Sequence, residues 1–230
     1  MTSPAVLLGN SKSVKSAQSG PHDGLLRLLE RRKSSPSLSP IREHTKEAFD
    51  KILPQLLGAG ENLILDSCCG TGLSTIKLAL RYPSHLVVGI DRSGHRLDKE
   101  KLTENQKLPL PKNALLLRAE VGDFWRLTAT NNIRISDHYL LYPNPYPKKK
   151  HLQKRWHANP AFPALFQLGG AFTMRTNWLV YAEEMRIALD AFGAASVKVS
   201  EHRPSDFLTL FEKKYYLSGH TLYQVTARLS

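Results

Sequence analysis

Apolar positions along the chain alternate between two periods. Short unbroken runs bounded by glycine, proline or charge predict buried strands at Leu63–Leu65, Leu86–Ile90 and Ala114–Leu117, with a fourth over Asp137–Tyr142. Between and around them the spacing becomes helical. Ala48, Phe49, Ile52 and Leu56 share one face of a helix over residues 45–57, bent near Pro54. Thr75–Leu80 opens a helix straight after the first strand, and Arg96–Gln106 reads as a charged surface helix. Leu25, Leu26, Leu28 and Leu29 predict a short helix near the start of the chain. Phe172–Trp178 leaves a fifth strand, an amphipathic helix continues through Tyr181–Met185, and Thr221–Ala227 is a final strand. Such alternation predicts an α/β domain over residues 41–230.

Residues 1–40 lie outside this pattern. The first twenty are rich in serine and lack acids, with Lys12 and Lys15 but no apolar core of the kind a signal peptide needs. A basic run, Arg31-Arg32-Lys33, and a Ser/Pro segment to Pro40 follow the short helix. The expectation is a disordered or weakly structured basic arm, either touching nucleic acid or simply solvated.

Composition narrows the partner. The chain has 230 residues, 41% of them hydrophobic, enough to bury one substantial core. Its 32 Lys and Arg against 20 Asp and Glu give a formal charge of +12. A surplus of that size suits a polyanion, and RNA or DNA outranks a membrane because no long apolar segment appears. The two cysteines, Cys68 and Cys69, are adjacent and cannot staple a domain; no zinc-like Cys/His spacing accompanies them. They fit a reducing compartment, and the expected location is cytoplasmic.

Candidate chemistry gathers first at Leu63-Ile64-Leu65-Asp66-Ser67-Cys68-Cys69-Gly70-Thr71-Gly72, a strand running into a glycine turn ahead of a helix. Gly70 and Gly72 let backbone approach a ligand, and Asp91, ending the second strand, is placed to grip a ribose diol. Dinucleotide enzymes place a third glycine three residues after the second; that stretch carries Thr75 instead, and no pyrophosphate signature replaces it. The pattern D-x-x-x-G-x-G from Asp66 resembles motif I of class I S-adenosylmethionine methyltransferases. That resemblance implies a methyl donor, S-adenosyl-L-methionine, at the turn, with Asp66 among the residues that bind it. It also implies an acid after the third strand that receives the adenine amino group, a role for which Asp123 and Glu120 compete.

The second gathering is Tyr142-Pro143-Asn144-Pro145-Tyr146-Pro147-Lys148-Lys149-Lys150-His151-Leu152-Gln153-Lys154-Arg155-Trp156. Three prolines stiffen the loop that the fourth strand delivers to the carboxyl edge of the sheet. Asn144 offers a base edge a donor and an acceptor, and Tyr146 can stack on an extruded base. Lys148, Lys149, Lys150, Lys154 and Arg155 form a basic cluster suited to phosphates.

Further on come Thr176-Asn177, then Tyr181-Ala182-Glu183 and Thr209-Leu210-Phe211-Glu212. With the glycine turn and the Pro-flanked loop, these make the chain resemble the tRNA (guanine-N7) methyltransferase family from about Ile64 to the C-terminus. The resemblance implies a mostly parallel seven-stranded sheet with helices on both faces. It implies donor contacts from Gly70, Gly72, Asp91 and Asp123, and a pocket closed by Thr209 and Glu212. It also implies base contacts from Asn144 and Tyr146, and a further substrate contact from Asn177. The chain departs from the family where a proline-flanked Asp is Asn144, where Trp is Tyr146, and where Thr-Asp is Thr176-Asn177. Pro143-Asn144-Pro145-Tyr146 is also similar to the Asn-Pro-Pro-Tyr motif of amino methyltransferases that act on adenine or cytosine. A non-catalytic RNA-binding protein retaining the fold is the remaining alternative.

Overall fold

A computed structural model describes residues 9–35, 37–97 and 108–229. Seven strands form one sheet in the order β3-β2-β1-β4-β5-β7-β6. They are β1 (Leu63–Ser67), β2 (Leu86–Asp91), β3 (Ala114–Arg118), β4 (Asp137–Leu141), β5 (Gly170–Thr176), β6 (Ala195–Glu201) and β7 (Tyr223–Leu229). The first five pair in parallel, while β7 runs antiparallel to both β5 and β6. The topology reverses beside β1, where the order passes to β4, and the carboxyl ends of β1 and β4 open a crevice there.

The helices are α1 (Leu25–Ser34), α2 (Glu43–Ala59), α3 (Leu73–Arg81), α4 (Val121–Thr130), α5 (Phe162–Leu168), α6 (Leu179–Ala191) and α7 (Leu210–Leu217). Phe49, Ile52 and Leu56 of α2 are buried as their spacing predicts, and Pro54 lies inside the helix. The core is largest on the face covered by α1, α2, α4, α5 and α6, where Phe124, Phe162, Phe172 and Tyr181 are wholly enclosed. Ser67 at the end of β1 receives the Trp125 indole N–H (3.0 Å) and lies 2.8 Å from His138 Nε2, so one hydroxyl ties α4 to β1 and β4.

Several expectations change. The final strand is Tyr223–Leu229 rather than Thr221–Ala227. The pattern missed β6, α4, α5 and α7. The charged helix expected over Arg96–Gln106 falls mostly outside the described residues; its first two positions are a turn. The expectation of a disordered arm is corrected over residues 9–35. Leu25, Leu28 and Leu29 bury one face of α1, and Gln18 is buried against α6. Ser16 Oγ donates to the Pro147 carbonyl (2.7 Å), Ser11 N donates to Ser218 Oγ (3.0 Å), and Gly9 N to the Leu217 carbonyl (3.0 Å). A polar, acid-free sequence hid this docking because its partners lie more than 130 residues away.

Candidate active site

A cleft of about 940 Å³ opens over the carboxyl ends of β1, β2 and β4. Its floor is the glycine turn, and its walls are the ends of β2 and β3, the 142–156 loop and the start of α7.

The turn needs its glycines. Gly70 and Gly72 have φ of +61° and +83°, and a Cβ on Gly72 would meet the Leu116 side chain at 2.8 Å. Gly70 N donates to Asp91 Oδ2 (3.0 Å), and Ser93 N donates to Asp91 Oδ1 (2.9 Å). Those two bonds aim the carboxylate into the cleft and leave lone pairs on both oxygens for a diol. Thr75, where a dinucleotide site would have glycine, fits because the strand opposite is bare: a Cβ on Gly89 would come within 2.1 Å of Thr75 Oγ1. The close helix–strand approach therefore exists with the glycine moved from helix to strand.

Asp66 acts from beneath. It is fully buried, and its Oδ2 accepts from Ser74 Oγ (2.6 Å) and Thr75 Oγ1 (2.7 Å), tying the first turn of α3 to β1. Burial pushes its carboxyl up to about 6 against the pull of those two hydroxyls. It is an anchor for the turn, not a donor contact, which corrects the sequence expectation. The Cys68 and Cys69 thiols border the cleft, and burial with the nearby Asp91 and Asp66 charges pushes both well up. Neutral thiols of this kind are poor nucleophiles.

The competition after β3 resolves by helix phase. Glu120 is the residue before α4 and lines the cleft with Val121. Asp123 sits on the side of α4 facing α2, where its Oδ2 accepts from Arg42 N and Arg42 Nη1, both at 3.2 Å. Of the two acids, Glu120 is therefore the one that reaches the cleft, and Asp123 holds Arg42.

Across the cleft, the 142–147 loop is held in a costly shape. Tyr142 and Tyr146, on either side of Pro143-Asn144-Pro145, have φ of +51° and +45°, a region β-carbons disfavour by about 1–3 kcal/mol each. Two anchors maintain it. Tyr142 is buried and its hydroxyl donates to Glu212 Oε1 (3.2 Å). The Tyr146 carbonyl accepts from Arg155 Nε (3.3 Å) and Nη2 (3.2 Å). Asn144 is exposed in the cleft wall, and its Oδ1 accepts from Tyr146 N (3.2 Å). That leaves the Nδ2 hydrogens pointing outward for a ligand. The Tyr146 ring lies 5.8 Å from Lys154 Nζ, which also lines the cleft.

Arg155 is the largest departure from the sequence expectation. It is fully buried and meets no phosphate: Nη1 pairs with Glu184 Oε2, Nη2 donates to Gln18 Oε1 (2.9 Å), and its guanidinium lies 4.9 Å from the Trp178 ring. His157 Nε2 is 3.2 Å from the same Glu184 oxygen. Burial alone would raise the Glu184 carboxyl, but His157 and Arg155 outweigh it and hold it down to about 2. Lys148, Lys149 and Lys150 are exposed along the outer side of a short 3-10 helix, outside the cleft wall.

Glu212 is likewise enclosed. Its Oε1 accepts from Arg175 Nη1 (2.8 Å) and lies 3.1 Å from His202 Nε2, and its Oε2 accepts from Leu208 N (2.7 Å). Thr209 caps α7 by accepting from Glu212 N (2.9 Å), so this pair builds a helix start whose Thr209 side reaches the cleft while Glu212 does not. Asn177 is out of the cleft too: its Nδ2 is 3.0 Å from His220 Nδ1, whose ring in turn contacts the Ser11 carbonyl through Nε2 (3.0 Å). Trp156, Gln153, Phe211 and Lys214 line the cleft although the sequence assigned them no contact; Gln153 and Trp156 lie within the basic loop stretch and Phe211 within Thr-Leu-Phe-Glu.

A seven-stranded sheet in this order, with a glycine turn after β1 and an acid ending β2, is the fold and donor site of class I S-adenosylmethionine-dependent methyltransferases. The comparisons agree. Residues 60–225 match the family model Methyltransf_4, a methyltransferase family, and the chain belongs to it. A tRNA (guanine-N(7)-)-methyltransferase of Saccharophagus degradans is 26% identical over 211 residues, covering 80% of this chain and 89% of that protein. One of Halorhodospira halophila is 27% identical over 200 residues, covering 77% and 79%. Among solved structures, a 16S rRNA (adenine(1408)-N(1))-methyltransferase of Catenulisporales acidiphilia with cosubstrate SAM superposes with a TM-score of 0.55 at 15% identity, covering 78% of this chain and 90% of that one. The 16S rRNA methyltransferase KamB gives 0.55 at 18%, covering 79% and 94%. At these identities the structures speak for the fold alone. Among the described residues no helix is long and apolar enough to cross a membrane.

Proposed function

We propose that the protein transfers a methyl group from S-adenosylmethionine to N7 of a guanine in tRNA. The observation that carries this reading is the cleft itself, which sets the glycine turn with Asp91 and Glu120 on one side against Asn144 and Tyr146 on the other. The names of the relatives favour tRNA guanine as the acceptor.

The cleft fits the donor. Its volume is that of a nucleoside-sized ligand, Gly70 opens toward it without a side chain, and Asp91 offers a diol two oxygens. The donor, when bound, supplies an already activated methyl on a sulfonium. Asp91 holds the ribose diol, and Glu120 accepts from the adenine amino group. The chain's task is then proximity and alignment, since guanine N7 carries a lone pair and needs no proton removed. The outward Nδ2 hydrogens of Asn144 suit O6, the acceptor beside N7 on the same base edge, and leave N7 for the incoming methyl. Tyr146 stacks on the extruded base, and Lys154 at its ring meets the adjoining phosphate.

The test is transfer of labelled methyl from S-adenosylmethionine to bulk tRNA from cells lacking this protein, read by nucleoside mass spectrometry. The expected product is 7-methylguanosine. A different methylated nucleoside, or none with donor still bound, overturns the reading.

A further inference from the structure

Away from the cleft, a hollow of about 450 Å³ lies between α1 and the 3-10 helix Lys149–Lys154. We propose that it binds a backbone phosphate of the RNA whose base enters the cleft, and that Arg27 and Arg31 of the arm are therefore substrate-binding residues. The proposal rests on the RNA reading above and extends it to a second site.

Four cations converge on the hollow from two elements far apart in sequence: Arg27 and Arg31 from α1, and Lys149 and Lys150 from the other wall. Arg27 and Arg31 are one helical turn apart, so they project from the same face. Among the described residues, the one carboxylate paired with any of the four is Asp23, 3.9 Å from Lys149 and itself almost wholly exposed. The acid on α1, Glu30, is paired with Lys33 instead. Like charges brought this close repel, and an anion between them removes the repulsion. Guanidinium forks match phosphate oxygens two at a time, which a diffuse solvated patch would not require.

Two further observations give the site its direction and rigidity. Gln153 lines both the hollow and the cleft, so a strand whose base sits between Asn144 and Tyr146 needs to pass only that residue to lay a phosphate in the hollow. The α1 wall is fixed in place, since Leu25, Leu28 and Leu29 are buried and His22 N donates to Glu184 Oε1 (2.9 Å). Arg32 Nε donates to the Ala158 carbonyl (2.9 Å), anchoring the far end of the helix. The cations are thus preorganised, and binding would order little chain.

The experiment is the salt dependence of tRNA binding by the full chain, with donor affinity measured beside it by calorimetry. Arg27→Ala with Arg31→Ala should lower the log–log salt slope by about 1.4–1.8 and weaken binding roughly ten- to thirty-fold near physiological salt. Donor affinity should not change. Lys149→Ala with Lys150→Ala, on the opposite wall, should lower the slope by a similar amount. An unchanged slope in the arginine pair, with wild type binding tRNA, overturns the proposal even if the lysine pair lowers it. Should the arginine pair also lose donor binding, the lysine pair carries the test, and its unchanged slope overturns the proposal. Wild type that binds no RNA at all refutes the RNA reading itself, a separate result.

Discussion

Two buried glutamates stand behind the two walls of the cleft, and the difference between them is instructive. Both are wholly enclosed, and each takes an arginine and lies against a histidine: Glu184 has Arg155 and His157, and Glu212 has Arg175 and His202. Glu212 draws every partner from residues 142–208, so the α7 wall closes upon its own half of the chain. Glu184 also accepts from Gln18 Nε2 (2.7 Å) and His22 N (2.9 Å), both from the arm. The 142–147 loop is therefore clamped with help from the beginning of the chain, while the arm meets the α7 wall at its far end, where Gly9 bonds Leu217 and Ser11 bonds Ser218. An arm that reads as an appendage belongs to the acceptor side of the site.

The comparison breaks most sharply at Arg155. Arg155→Ala leaves the buried Glu184 without its arginine counter-charge and frees the Tyr146 carbonyl; stability should fall by about 3–5 kcal/mol, measured by urea unfolding, with the loop released from its left-handed shape. Glu212→Gln should cost less, about 2–3 kcal/mol, because the amide still accepts through one oxygen while Arg175 loses its counter-charge. If Arg155→Ala cost less than about 1 kcal/mol, the loop would not be the clamped element described above.

Asp91 tests the donor side without touching either clamp. Asp91→Ala should weaken S-adenosylmethionine binding about ten- to a hundred-fold by calorimetry, the loss expected for hydrogen bonds to a charged group, while the fold persists. Glu120→Ala should show the same sign, and Asp123→Ala should leave donor affinity unmoved because its carboxylate faces Arg42.

The smallest effect is in pH. Glu184 is held below the usual range at about 2, so the stability it contributes is complete above pH 4.5 and is lost as pH falls toward 2. Asp66 is raised to about 6, so its sign is reversed: the folded state favours its neutral form, and stability declines as pH rises from about 4 through 6. Urea midpoints across this range should show both slopes, and Asp66→Asn should flatten only the upper one. A variant that flattened neither would mean that Asp66 keeps its ordinary titration.

The donor side was legible in the sequence because its signals are local. Asp66, Gly70, Gly72 and Asp91 are fixed by the turn or strand that holds them, and only Asp66 changes role, from ligand contact to buried anchor. The acceptor side was half legible. Asn144, Tyr146 and Lys154 reach the cleft, but Arg155 follows Lys154 in an unbroken basic run and faces the other way. No property of the run distinguishes it; the distinction comes from Glu184 and Gln18, far off in sequence. Glu120 and Asp123 could not be separated until α4, unannounced by the pattern around Gly122, set their phase. The strand β6 escaped for a related reason: its residues, Ala195 to Glu201, are half-buried or exposed, so no apolar run marks it.

The arm's contacts also have a consequence for biosynthesis. Residues 9–24 leave the ribosome long before their partners: Gln18 and His22 wait for Glu184, and Ser11 waits for Ser218 and His220. Leu25, Leu28 and Leu29 must stay uncovered for as long, because α6 and the 156–158 turn that cover α1 come later in the chain. A nascent chain will thus carry a loose, leucine-bearing leader until translation is nearly complete. The joint that steadies the Tyr146 carbonyl can close once Glu184 has emerged, and the Ser11 contacts close later still. The 142–147 loop thus gains its Arg155 clamp only after α6 has emerged, so a product stalled before Glu184 would hold a formed glycine turn and an unclamped loop.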